Sequence, residues 1–132
     1  MDDGLVTTVS RRSVTDTLDA LEQAALRAGM TIFARIDHAA NAIKAGLTLR
    51  PTEVLIFGNP GAGTALMQDA QTSGLDLPLR VLAWEDEDGE VFVTYTDLPW
   101  LARRYELTPH SGKQQATIEA GLVQLVRQAT GT

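Results

Sequence analysis

The chain contains no cysteine. Disulfide staples and zinc sites built on thiolates are therefore excluded. Histidine is nearly as scarce: His38 and His110 are the two copies, and no H-E-x-x-H or related spacing joins them to carboxylates, so no metal site is expected. Aromatic residues make up only 5% of the chain. Cations are outnumbered, 11 Lys and Arg against 17 Asp and Glu, for a formal charge of −6. A chain of that sign repels phosphate backbones. Its basic residues cluster only as the pairs Arg11-Arg12 and Arg103-Arg104, so nucleic acid is not expected as a partner. No apolar run approaches the ~20 residues of a membrane span. The acidic start Met1-Asp2-Asp3-Gly4 lacks the positive and then apolar pattern of a signal peptide. The expectation is a cytoplasmic protein with no membrane partner.

What remains has the balance of an ordinary globular protein, 132 residues with 44% hydrophobic and 21% charged. This predicts one domain over 1–132 with its own core. No linker divides it, and no repeat period of 20–50 residues appears. Leu5–Val9 reads as a strand. Ser13-Val14-Thr15-Asp16 opens a helix, with Ser13 as cap and Asp16 near the positive end. Val14, Leu18, Leu21, Ala25 and Ala28 form its buried face, and Gly29 ends it. Met30–Asp37 reads as a strand with Ile32, Ala34 and Ile36 on one side. A short helix from His38 ends at Gly46. Glu53–Phe57 is a nearly continuous apolar strand. Arg80–Asp86 and Glu90–Thr96 are two strands turning at Asp88-Gly89. Leu98–Tyr105 is a short helix capped by Asp97. The last helix follows Pro109 and buries Ile118, Leu122, Leu125 and Ala129, with Gly121 placed for a close helix contact. The hairpin argues for an antiparallel α+β sheet rather than a doubly wound parallel one.

After Val54-Leu55-Ile56 comes FGNPGAGT, Phe57 to Thr64, a phosphate-binding loop without its lysine. Gly58 and Gly63 have the separation of a P-loop, but Thr64 stands where the lysine belongs. A dinucleotide fingerprint also fails, because Leu66 replaces the third glycine. Magnesium-dependent nucleotide hydrolysis is therefore not expected. As structure, Asn59 caps a helix and Pro60 takes its first position. As function, such a helix start presents amides to a small anion or carboxylate. His38, Asn59, Gly61, Gly63 and Thr64 are accordingly the candidate ligand-binding residues.

Other candidates weigh less. Asp37-His38 offers a carboxylate beside a base, but adjacent strand residues point to opposite faces. No catalytic residue is assigned. The run Glu85-Asp86-Glu87-Asp88-Gly89-Glu90 has Trp84 where a calcium loop needs an acidic ligand, and strands flank it, so it reads as a solvated hairpin tip. Trp84, Tyr95 and Trp100 lie near the hairpin and its exit. They are candidate interface or pocket aromatics, with ordinary packing as the alternative.

From about Leu5 to Ala129 the chain resembles the bacterial and archaeal family called domain of unknown function 302. The resemblance is most specific from Thr31 through Tyr95: the strand leading into Asn59-Pro60, Leu77-Pro78 before a strand, Asp97 after the next strand pair, and Asp37-His38-Ala39-Ala40 at the first corner. It implies a curved antiparallel sheet in the order β-α-β-β-β-β-α, with short helical insertions, helices on one face, and a homodimer. It implies no activity, cofactor or catalytic residue. The leading functional expectation is a homodimeric module for a small anionic or carboxylate ligand. The alternatives are an enzyme with His38 as general base and an interaction module without a pocket.

Overall fold

Strand residues that alternate between two environments set the architecture. The computed structural model describes residues 2–132. The chain runs β1 (Leu5–Ser10), α1 (Val14–Arg27), β2 (Thr31–Asp37), α2 (His38–Lys44), β3 (Thr52–Gly58), α3 (Pro60–Asp69), a 3-10 turn (Gln71–Leu75), β4 (Leu79–Glu85), β5 (Val91–Thr96), α4 (Leu98–Arg104), a second 3-10 turn (Pro109–Ser111) and α5 (Gly112–Thr130). The five strands form one antiparallel sheet ordered β1-β5-β4-β3-β2. This is the α+β order expected from the sequence, with α2, α3 and α4 as inserts.

Leu55, Phe57, Val81, Ala83, Val91 and Val93 point to one face and meet Val14, Leu18, Leu21 and Ala25 of α1 and Leu122, Leu125, Val126 and Ala129 of α5. Each fully buried Leu or Phe contributes about 1.5–3 kcal/mol over leaving it exposed. The helix ends match their signals. Ser13 Oγ accepts from Asp16 N at 3.0 Å, a cap worth about 1 kcal/mol, and Gly29 takes φ +77° at the stop. The α1 face differs in detail: Thr17 and Ala24 are buried, while Ala28 is the exposed C-cap. Gly121 is not at a close helix contact, because a Cβ there would meet only Met30 Cε at 3.9 Å.

Strand β2 departs from simple alternation. Its register shifts between Ile32 and Ala34, so a bulge at Phe33 flips everything after it. Ile32 faces the core opposite Phe57, but Ala34 and Ile36 pair with Ile56 and Val54 on the outer face. Arg35 turns inward instead. It binds Asp19 at 2.6 Å and Glu53 at 3.5 Å and donates to the Thr15 carbonyl at 3.3 Å. Burial lowers the Arg35 pKa, but the Asp19 hydrogen bond and the Glu53 charge outweigh that, and the net shift is upward. The nearly buried Glu53 is thus paired rather than stranded.

A smaller cluster of Leu66, Leu77, Leu98, Leu101 and Ile118 lies under α3, α4 and α5, and Leu79 touches both clusters. Trp100 packs against this cluster and also covers the start of the chain. A Cβ on Gly4, which has φ +77°, would lie 2.4 Å from Trp100 Cδ2. Gly4→Ala is therefore expected to lower stability by about 2–4 kcal/mol in urea unfolding. In a Trp100→Ala background the same change should cost only about 1 kcal/mol, the left-handed backbone term. Equal losses in both backgrounds would show that the ring contact is unimportant.

Candidate functional site

The turn after β3 is built around one side chain. Asn59 Oδ1 accepts from Gly61 N at 2.9 Å and Ala62 N at 3.4 Å. Pro60 has no N–H to offer, and Gly63 N bonds to the Asn59 carbonyl at 3.0 Å. The first-turn amides that would meet an anion are therefore already occupied. Gly61 allows this close approach: a Cβ there would lie 3.3 Å from Asn59 Oδ1.

Beside this turn lies a cavity of about 290 Å³ between α3, α5, the start of β2 and the approach to β4. That volume is at the small end of the ~300–1,000 Å³ typical of ligand pockets. Its walls are chiefly Met30, Phe33, Met67, Leu77, Pro78 and Ile118. Asn59, Thr64 and Thr117 supply polar groups, and no charged side chain lines it. Gly63 lines it too, and a Cβ on Gly63 would meet nothing within 4 Å. The bulge gives Phe33 its place at this cavity, and the side chain is 51% exposed.

The wall is pinned at the far end of α3. Asp69 accepts from Thr108 N at 2.8 Å, Thr108 Oγ1 at 2.8 Å and Ser111 Oγ at 2.6 Å. Gln115 Nε2 donates to Ser111 Oγ at 2.9 Å and to the Thr108 carbonyl at 3.1 Å. This latch ties α3 to the turn that launches α5.

Of the residues singled out by sequence, Asn59, Gly63 and Thr64 line the cavity, and Gly61 belongs to the cap. His38 is not brought to them. Thr31 pairs with Gly58 at one end of the β2–β3 ladder and Asp37 with Glu53 at the other. Six residue steps at about 3.3 Å place His38 roughly 20 Å from the Asn59 turn. His38 is exposed, and its neighbour Asp37 is engaged in capping α2 through Ala40 N at 2.9 Å. His110 is also exposed, in the turn before α5. The three aromatics separate as well. Trp84 is on the outer sheet face opposite Phe92, Tyr95 packs against the main core, and Trp100 joins the small cluster. Burial raises the Tyr95 pKa, and the Asp97 charge adds to that. Met30, Phe33, Met67 and Ile118 were not foreseen as pocket residues. Their spacing reads as plain core, and only the assembled tertiary structure joins them.

The profile of the family described as domain of unknown function DUF302 matches residues 6–125. The chain belongs to the DUF302 family. A crystal structure of an uncharacterised conserved DUF302 protein from Bacillus stearothermophilus shares its fold, with TM-score 0.83 and 16% identity, covering 97% of this chain and 99% of that one. Among curated proteins, the chain is 47% identical over 131 residues to the fluoride-specific ion channel FluC 1 of Brucella suis biovar 1, covering 99% of this chain and 52% of that protein. It is equally similar to FluC 2 of Brucella melitensis biotype 1, covering 48% of that protein. The chain spans about half the length of the curated relatives it matches. Among the described residues of this DUF302 domain, no helix is long and apolar enough to cross a membrane.

The latch of the DUF302 domain gives a pH signature. The Ser111 hydrogen bond leads; desolvation opposes it, and the Thr108 hydrogen bonds and the nearby His110 charge add to it, so the Asp69 carboxyl is held below its ordinary value. A depressed carboxylate pKa contributes stability that is complete above the unfolded value of about 3.9 and is lost as pH falls through the folded value. Asp69→Asn should therefore lower Tm at pH 7 and remove part of the acid-side fall in stability. Thermal melts from pH 7 to below pH 3 check this. An unchanged slope in the variant would remove Asp69 as its source.

Proposed function

We propose that this DUF302 domain is a non-catalytic module that holds a small, uncharged and mostly apolar ligand in the cavity beside Asn59. The observation carrying this reading is the lining itself, apolar on nearly every wall and free of charged groups. The occupied first-turn amides count against the anionic or carboxylate ligand that the glycine-rich turn had pointed to. Asn59 Nδ2 and the Thr64 hydroxyl remain as donors to orient an apolar body by one polar atom. An enzymatic role for His38 gains no support, because His38 is exposed and follows the end of the β2–β3 ladder opposite to the cavity.

The similarity to FluC proteins supports a second, compatible reading: a domain accessory to a fluoride channel. Fluoride itself fits this cavity poorly, since a small anion needs cations or several N–H donors. In that setting the domain would answer to its own ligand rather than to the conducted ion. The homodimer implied by the family resemblance is retained as part of the proposal. The outer sheet face, left bare by α1 and α5, supports it.

Indole, as a small apolar probe with one donor, is expected to raise Tm by roughly 5 °C at ten times its Kd, from about 1.4 kcal/mol of linkage. Phosphate, acetate and fluoride should give no shift. Gly63→Leu should fill the cavity from an unstrained helical position, keep or raise Tm, and abolish the indole shift. Stabilisation by the anions alone would overturn the apolar reading. No shift with indole or a panel of similar size would overturn the ligand reading altogether.

A further inference from the structure

The outer face of the sheet is apolar across its width. Val54 stands opposite Leu82, and Trp84 opposite Phe92, with their rings 5.0 Å apart. Ala34 and Ile36 extend the face across β2, and Leu5 and Val9 extend it across β1. Three of its polar side chains are tied to one another. Trp84 Nε1 donates to Thr94 Oγ1 at 2.9 Å, and Thr94 and Thr7 share a hydrogen bond of 2.9 Å. Arg80 is the one charged residue among the outer-face strand positions, and it donates to the Leu75 carbonyl at 3.2 Å.

One end of the sheet adds two features of opposite charge. The first is the arm from α2 to β3, where Ile43, Leu47 and Leu49 are 72%, 68% and 47% exposed. Between Asp37 and Glu53 it carries Lys44 and Arg50 and no acidic residue. The second is the β4–β5 turn, with Glu85, Asp86, Glu87, Asp88 and Glu90 and no basic residue. They share an end of the sheet, because Glu85 N donates to the Pro51 carbonyl at 3.0 Å.

We propose that a second copy of this chain docks on the outer face about a two-fold axis parallel to the strands, each arm reaching the acidic hairpin of the other copy. This rests on the homodimer reading above and assigns its surface. The strand order decides the axis. Rotation about a line along the central strand β4 reverses β1-β5-β4-β3-β2 while keeping the same ends together. Each β2–β3 arm then lies over the partner's β1–β5 side, beside its β4–β5 turn. An axis across the strands would carry the arm to the opposite end, away from the acidic turn. Area argues for the arms as well. Five strands at about 4.8 Å and six residues at about 3.3 Å give roughly 500 Å² of flat face. A stable pair buries about 800 Å² per partner, so the exposed arm leucines and isoleucine supply the difference. An anionic bilayer is a poorer occupant, since the acidic turn beside the arm would be repelled by it.

Sedimentation velocity on the full chain tests this. Wild type should dimerise, and Trp84→Glu should yield a folded monomer by circular dichroism, because Trp84 is outside both cores. The arm variant Lys44→Glu/Arg50→Glu and the turn variant Glu87→Lys/Glu90→Lys should each dimerise about tenfold more weakly or worse. Asp86 is spared because its carboxylate accepts from Asp88 N and Glu90 N. Mixing the two variants should give tighter dimerisation than either variant alone, since one contact of the mixed pair is the wild-type arm against the wild-type turn, and at the other the reversed arm meets a turn that has lost most of its negative charge. A wild type that stays monomeric overturns the homodimer reading itself. A dimer that survives Trp84→Glu keeps that reading but overturns this face. Loss with Trp84→Glu but no effect of the charge variants or their mixture overturns the arm–turn pairing. A monomer that binds phosphatidylglycerol vesicles through Ile43 and Leu47 assigns the arm to a bilayer instead.

Discussion

Everything in this fold depends on burying one face of the sheet and not the other. In β3, β4 and β5, alternate residues enter the core under α1 and α5, and those between them point away. In a half-solvated antiparallel sheet those intervening positions are usually polar. Here Val54, Ile56, Leu82, Trp84 and Phe92 fill them. Helix packing has been spent on one side of a sheet that is apolar on two. The core formed with α1 and α5 is complete without the outer face, and an apolar face of that kind is what a protein interface uses.

The character of the cavity follows from a similarly local decision at Asn59. A helix start after a glycine-rich turn attracts anions when its amides are free, and the same amides attract a capping side chain. The Asn59 carboxamide reaches Gly61 N at 2.9 Å, and an intramolecular partner already in place excludes a weak external one. The dipole remains, but without N–H groups to deliver it the neighbouring cavity is governed by its methionine, leucine and proline walls. The resemblance to a phosphate loop is thus a resemblance of backbone punctuation. The glycines that admit a phosphate elsewhere here admit the cap and leave Gly63 open to the cavity.

Features set by neighbours in the chain were legible in the sequence. Ser13, Asn59 and Asp97 cap the helices assigned to them, Asp88-Gly89 turns the hairpin, and the α5 stripe from Ile118 to Ala129 is buried. Asn59, Gly63 and Thr64 line a cavity whose apolar walls come from several elements, and that character was not visible in the local sequence. Features made by residues far apart were not legible. The Asp69 latch joins residues 39 and 42 positions away. His38 sits one residue from a strand end, and nothing local reveals that the strand carries it away from Asn59. The left-handed Gly4 under Trp100 shows no turn signal, because its reason is a ring from another element.

The β2 bulge shows why such errors are informative. Ile32, Ala34 and Ile36 alternate so regularly that a regular strand is the natural reading, with all three on one side. That register would send Arg35 outward and strand Glu53, which is 8% exposed, without a cation. One extra residue at Phe33 lets Ile32 keep its place against Phe57, turns Arg35 inward to Glu53 and Asp19, and leaves Phe33 to the cavity. Exposing Ala34 and Ile36 costs apolar burial, and the charge pairing of a nearly buried carboxylate offsets it. An edge strand tolerates a bulge more readily than a central one. The same irregularity therefore neutralises the core, shapes the cavity and completes the apolar outer face.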